Sequence, residues 1–360
     1  MRFSANISGF SIIRLFAFAA IGHWLAISNL LHADQHDERV ALPTINDYLL
    51  KGDEENFYMY VYRNFEQQES RPWTGGQYGF VRSMKRTAEG VICTKFHEGI
   101  DIKPIKRDGY GRPLDDVNAM ASGEVVYVNA TSHHSSYGKY VVVEHRWKGG
   151  PVYSLYAHLA SIAVKEGQKI MIGQTLGKLG YTGNGINRER AHLHLELGVM
   201  FSSRFTPWHD KYFPDTNHHG NYNGMNIAGL DIAAFLIAKN NNQQLTIPEF
   251  VTSIPIHYKV VVPRKQIKKG SPEIARRYPW MVREPYQKNS PSVEISFSAS
   301  GFPLAIGSSD KAVAGPTLSW VEECQLRHEY HTKGYVTGTG KNASLSKTGL
   351  RFIALVCGQY

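Results

Sequence analysis

Two short stretches of this chain group side chains that could bind a metal ion and work beside it. "KFHEGIDIKP", residues 95–104, places His97, Glu98 and Asp101 close together, and "AHLHLEL", residues 191–197, sets His192, His194 and Glu196 at alternate positions. Side chains two apart on a β-strand share a face. The second stretch therefore sends both imidazoles and the carboxylate into one space, while Leu193, Leu195 and Leu197 pack a core. Gly99 and Pro104 rule out a long helix through the first stretch, and a turn entering a strand would bring His97 and Asp101 to one point. A borderline ion such as Zn2+ accepts imidazole nitrogen and carboxylate oxygen, and three protein ligands leave its fourth position to water. His97, Asp101 and His194 supply such a set, and water held there would have its pKa lowered from ~15.7 to ~7. Amide cleavage also needs its oxyanion stabilised and its leaving nitrogen protonated. His158, in "LYAHLA", and His192 are candidates for those tasks.

Each feature has an ordinary alternative. A His-x-His pair is common in exposed strands, and His-x-x-x-Asp recurs by chance. Glu98 adjoins a ligand without sharing its direction, and Glu196 is placed to orient a histidine or close the cleft floor. His133, His134 and His145 fall in a loop and at a strand end. His209, His218 and His219 could form a second metal site but read as ordinary loop residues. The conjunction in one β-rich segment is what favours a metal centre.

The elements that must position these groups lie between about Arg71 and Gly198, where runs such as "GEVVYVNA", "KYVVVEH", "VYSLYAHL" and "HLHLELGV" alternate with glycine. Short strands at this spacing, with almost no helical periodicity between them, predict a mainly β fold, an antiparallel β-sandwich or barrel. Gly167, Gly173, Gly177, Gly180, Gly183 and Gly185 serve tight turns, and the last three are also positioned to shape a loop at the cleft. Five segments are expected. Residues 1–33 are a signal peptide or anchor, 34–70 an N-terminal extension, and 71–240 the metal-bearing domain with a polar, histidine-rich insertion at 201–228. A basic, proline-containing connector follows at 241–290, and a small C-terminal β domain at 291–360. The stretch "GLDIAAFLIAKN" after the insertion reads as one helix.

Composition narrows the setting. A chain of 360 residues with 42% hydrophobic and 20% charged residues is globular over most of its length. A net charge of +9 favours an anionic partner: nucleic acid, a membrane surface or an acidic wall polymer. Arg2 and Arg14, the apolar run 15–31 and the acidic stretch after Ala33 read as a secretory signal cleaved near Ala33, or as an uncleaved anchor; either places the body outside the cytoplasm. No nucleic-acid-binding motif is present, and export argues against such a partner. Cys324 and Cys357 could pair in an oxidising compartment, leaving Cys93 as a packing residue.

In order along the chain, "FHEGIDI", "AMASGEVVYV", "YGKYVVVEH", "YAHL", "VKEGQKIMIGQTLGKLGYTG" and "HLHLEL" resemble the lysostaphin-like or LytM-type zinc metallopeptidases, which have the duplicated hybrid motif fold and cleave peptide cross-links of bacterial peptidoglycan. The resemblance covers roughly residues 71–200. It implies one Zn2+ per chain held by His97, Asp101 and His194, with His158 and His192 as acid, base or oxyanion partners. It also implies a peptidoglycan peptide as substrate and an exported, periplasmic or extracellular endopeptidase, which the basic connector and last domain would hold on an anionic envelope surface. One departure is the long approach "TGNGINRERAHLH" with Arg188, Glu189 and Arg190, which bears on the substrate subsite more than on the metal. The alternative is a non-catalytic envelope protein that uses the same fold to bind peptidoglycan or regulate another hydrolase; the intact ligand set argues against it.

Overall fold

The computed structural model describes residues 38–267 and 270–360. The expected signal peptide or anchor lies outside them. Among the described residues, no helix is long and apolar enough to cross a membrane.

The strands that carry the site are antiparallel throughout. A hairpin of β1 (Gly79–Thr87) and β2 (Gly90–His97) leads into the short β3 (Ile100–Ile102). Then come β4 (Gly123–Asn129), β5 (Tyr140–Trp147), β6 (Gly150–Ala157), β7 (Leu193–Met200) and β8 (Ile227–Gly229). In the main sheet β4, β5, β6 and β7 are neighbours in that order. The far edge of β7 pairs with β3 over its first half and with β8 over its second. A separate three-stranded sheet of Asp116–Asn118, Thr175–Lys178 and Ser161–Ile162 packs nearby.

Every residue of β7 is buried, so the strand is covered on both faces. Leu193, Leu195, Leu197 and Val199 join Val141, Val143, Tyr156, Val117 and Leu176 in the main core. The opposite face holds a smaller cluster of Tyr140, Val142, Tyr153, Leu155 and Ala157. His194 and Glu196 stand on that second face, as the alternation of "HLHLEL" requires. The β-branched runs "VVV" in β5 fit the pleated, doubly covered surface. Gly99 allows β3 to approach β7, since a β-carbon there would lie 2.2 Å from the Leu195 carbonyl oxygen.

The insertion contributes helix α1 (Phe205–Tyr212), whose Phe205 and Trp208 are buried. The expected helix follows as α2 (Ile232–Asn241), with the Asp231 side chain accepting from Ala234 N at its start.

The segment expected as a connector, 241–290, has a different character. It contains a helical turn, Ile247–Val251, opened by a capping box of Thr246 and Glu249. It also contains β9 (Tyr258–Pro263), which lies inside a four-stranded sheet between β10 (Ser292–Phe297) and β12 (Thr317–Val321), with β11 (Pro303–Ser309) outside β10. The expected boundary at 290 therefore cuts through a sheet. The basic residues and prolines of this segment suggested a connector, whereas three consecutive valines, Val260 to Val262, carried the strand. The expected C-terminal β domain also ends in a buried helix, α3 (Lys347–Cys357). Cys324 and Cys357, which could have paired, are both free, and Cys357 is buried within α3.

Residues 38–360 form one compact unit. Tyr278, fully buried, shows how its parts are joined: its hydroxyl accepts from Met200 N at 2.9 Å and donates to the Pro151 carbonyl at 2.8 Å, thereby holding β7 and the start of β6. Tyr278→Phe leaves both backbone groups without that partner and is expected to cost about 1–3 kcal/mol. Urea unfolding followed by tryptophan fluorescence should show one cooperative transition moved to lower urea. An unmoved midpoint would mean that the two sheets fold independently.

Candidate metal centre

Three backbone devices bring the expected residues together. His97 ends β2, Asp101 lies in the middle of β3, and His194 sits directly opposite Asp101 in the β3–β7 register. The result is a buried knot: His97, Asp101 and His194 are 3%, 1% and 7% exposed. Asp101 Oδ1 lies 3.1 Å from His97 Nε2 and 3.0 Å from His194 Nδ1, and those two nitrogens are 3.1 Å apart. A tetrahedral ion about 2.05 Å from each ligand atom would space them about 3.3 Å apart, so the three edges fit zinc with only slight expansion. The set is two imidazoles and a carboxylate, a donor chemistry suited to zinc.

Hydrogen bonds on the outer side of each ring fix which nitrogen faces inward. His97 Nδ1 lies 2.8 Å from the Gln77 carbonyl, which can only accept, so Nδ1 carries the proton and Nε2 turns to the cluster. His194 differs, because Nδ1 faces Asp101 while Nε2 lies 2.9 Å from Glu196 Oε1. Glu196 in turn accepts from the Tyr137 hydroxyl at 2.7 Å. It thus orients a ligand imidazole from behind, an arrangement common around metal-binding histidines.

The charges follow from this packing. Burial alone would push the Asp101 carboxyl up, but His192, His97 and Arg82 together hold it well below the usual carboxylate range. Burial pushes His97 down. Burial also opposes charge on His194, yet its bonds to Asp101 and Glu196 outweigh that and raise it to about 9.

His192 and His158 flank the knot and are equally buried. His192 Nδ1 lies 2.6 Å from the Arg190 carbonyl, and its Nε2 is 3.3 Å from Asp101 Oδ1. His158 Nδ1 lies 2.9 Å from the Thr182 carbonyl, and its ring meets that of His192 edge-on at 4.7 Å. In each case the carbonyl requires an N–H on Nδ1 and leaves Nε2 for other work. Burial and the neighbouring His192 and His194 imidazoles hold His158 well below the ordinary histidine range. His158 also has a left-handed backbone, φ +63°, which is strained for a residue with a side chain. Its N–H donates to the Tyr137 carbonyl at 2.9 Å, which helps hold that conformation.

The cluster opens into a groove of about 590 Å3, with Tyr62, Arg63, Met84 and Lys95 on one wall and Asn184 and Ile186 on another. The long approach to the histidine strand is pinned at that mouth. Glu189 accepts from Tyr60, Tyr62 and Arg71, while Arg190 Nε donates to the Tyr60 carbonyl at 3.0 Å. The N-terminal extension is thus part of the groove wall.

Sequence reasoning missed two supporting residues. Arg82, on β1, pairs with the outer oxygen of Asp101, and Tyr137, in a loop, holds Glu196. Neither stands in a local pattern; each meets its partner only through the fold. Glu98 points away from the cluster to Lys333, 3.0 Å distant. His145 is tied to the Ser122 carbonyl and the Ser154 hydroxyl, a packed core histidine. Among the described residues, His209, His218 and His219 form no converging metal-ligand group.

A prediction follows from the protonation of His194. Below about pH 9 the metal-free protein carries a proton on that ring, which zinc must displace. Zinc affinity should therefore rise about tenfold per pH unit near neutrality and level off above pH 9. Calorimetric titration in buffers of different ionisation enthalpy should register at least one proton released at pH 7. Buffer-independent heats would contradict this.

Known proteins share this segment. Residues 95–204 match the family model of peptidase family M23. The chain is similar to the peptidoglycan DD-endopeptidase ShyA of Vibrio cholerae, with 39% identity over 87 residues, 22% of this chain and 19% of that protein. It is also similar to a lipoprotein NlpD/LppB homolog of Pseudomonas aeruginosa, with 34% identity over 116 residues, 31% of this chain and 34% of that protein. The matches therefore span about a fifth to a third of those relatives. Among solved structures, a zinc-containing peptidase from Vibrio cholerae aligns at 27% identity and a TM-score of 0.25, over 40% of this chain and 37% of its own. The matched segment, residues 95–204, holds His97, Asp101, His158, His192 and His194, and it is this segment that is similar to peptidase family M23.

Proposed function

We propose that this protein is a zinc endopeptidase that hydrolyses peptide amide bonds in peptidoglycan outside the cytoplasm. The observation that carries the reading is the meeting of His97 Nε2, His194 Nδ1 and Asp101 Oδ1 at mutual distances of 3.0–3.1 Å beside an open groove. His97, Asp101 and His194 hold the ion. When bound, zinc supplies Lewis acidity and an acidified water at its open position.

The chain's own groups then divide the remaining tasks. Asp101, fixed by Arg82 from outside, keeps its charge and supplies the anionic ligand. Glu196 holds His194 with its Nδ1 toward the ion and offsets positive charge there. His158, with its Nδ1–H anchored on the Thr182 carbonyl, presents an unprotonated Nε2 as a hydrogen-bond acceptor. His192, with Nδ1 anchored on the Arg190 carbonyl, can present an Nε2–H to a developing oxyanion or pass its proton to the leaving nitrogen. Burial of both rings excludes bulk water and strengthens each of these contacts.

Support for the substrate comes from the peptidoglycan endopeptidase among the relatives, and for an envelope setting from the lipoprotein relative and the expected export signal. The net charge of +9 suits an anionic envelope polymer.

Digestion of purified peptidoglycan, read by mass spectrometry, tests the proposal. New amine termini should appear with the zinc-loaded protein and vanish with a chelator or with His194→Ala. Wall binding with bound zinc and no released fragments would favour the non-catalytic alternative. His192→Ala should keep its zinc while turnover falls by ~10²–10⁴-fold. Equal metal loss in His192→Ala and His194→Ala would overturn the division between ligand and proton-handling histidine.

A further inference from the structure

A second group of histidines converges in the C-terminal half, outside the segment shared with the peptidases. His257, His328 and His331 each aim one ring nitrogen at a common point, all within 4.8 Å of one another. His328 is fully buried, and neither of its nitrogens has a hydrogen-bond partner. His257 Nε2 is buried and unpartnered as well. An unsatisfied buried nitrogen is costly, and imidazoles that share one such space need something between them that accepts their lone pairs.

The surroundings specify what that is. Glu322 Oε2 lies 2.7 Å from His257 Nδ1, which fixes the proton there and leaves Nε2 bare toward the cluster. Cys324 Sγ lies 3.4 Å from His331 Nε2. Around a tetrahedral zinc, with bonds of about 2.3 Å to sulfur and 2.05 Å to nitrogen, that separation would be about 3.6 Å. Three imidazoles and a thiol are ligands for a soft or borderline ion, and unsuited to calcium or magnesium.

We propose that His257, His328 and His331 form a second zinc site whose role is structural, with Cys324, which lies beside His331 but outside the converging group, completing the shell when its side chain turns inward. Four protein ligands close the coordination shell and leave no position for substrate. The site would fasten a segment with little regular structure. His257 enters β9 from inside the four-stranded sheet, its N–H bonded to the Phe297 carbonyl and its carbonyl to Glu322 N. Cys324, His328 and His331 lie in the loop beyond β12, which contains the short helical turn His328–Tyr330. Two residues past His331, Lys333 pairs with Glu98, next to His97. The second ion would thus clamp to the sheet a loop that braces the wall of the first site. The spacing Cys-x3-His-x2-His in "CQLRHEYH" was visible in the sequence, but the third histidine lies 67 residues before Cys324 and only the fold unites them.

The test is zinc stoichiometry of the full chain. After chelation and titration with zinc alone, two equivalents should bind per wild-type chain and one per His97→Ala/His194→Ala variant. Adding His328→Ala to that variant should remove the last equivalent. In the His97→Ala/His194→Ala variant loaded with Co2+, a near-ultraviolet sulfur-to-cobalt charge-transfer band should appear and be abolished by Cys324→Ser. That readout survives if His328→Ala does not fold. A wild-type stoichiometry of one that is lost in His97→Ala/His194→Ala, or retention of both equivalents in Cys324→Ser with no charge-transfer band in its parent, overturns the second site. One equivalent that persists in His97→Ala/His194→Ala but is absent from His328→Ala would instead overturn the first site and uphold the second.

Discussion

A single carboxylate governs the site. Asp101 is buried in the β3–β7 pairing, and one of its oxygens lies within 3.3 Å of nitrogens from His97, His192 and His194. A charge buried this deeply is sustained only by partners of opposite sign and by hydrogen bonds. Arg82 takes the outer oxygen and the imidazoles take the inner one, the β1–β2 hairpin supplying Arg82 and His97 and the β3–β7 pairing supplying Asp101 and His194. A divalent ion at this point would meet the same demand, so one arrangement could hold the carboxylate's charge with and without it.

The strand geometry supplies what the chemistry needs. Alternation along β7 gives its leucines to the core and its His194 and Glu196 to the other face, where Asp101 and Glu196 hold the His194 ring from both sides. Glu196 and Tyr137 form a further layer behind His194, while carbonyls of Gln77, Arg190 and Thr182 each lock one ring. These groups preorganise lone pairs before any ion or substrate arrives. The N-terminal extension and the loop carrying Glu189 shape the mouth of the groove, where substrate selection would take place.

Much of this was readable from the chain. The period of two in "HLHLEL" and the turn-and-strand character of "FHEGIDI" indicated which side chains share a face, and the fold brings His97, Asp101 and His194 together as expected. Arg82 and Tyr137 were not legible, because neither sits in a motif and both act at long range. The sheet built on β9 was obscured by the lysines and prolines around its valines. Cys324 and Cys357 share the C-terminal segment and could have paired, yet Cys357 is buried within α3 while Cys324 lies beside His331. Chain proximity cannot report such directions.

The most direct test of the central claim is anomalous diffraction at the zinc edge from crystals of the zinc-loaded protein. A peak bounded by His97 Nε2, His194 Nδ1 and Asp101 Oδ1 is expected, with His158 and His192 outside bonding distance. A peak bonded to His192 in place of His194, or zinc-bearing crystals with no peak at Asp101, would contradict the account.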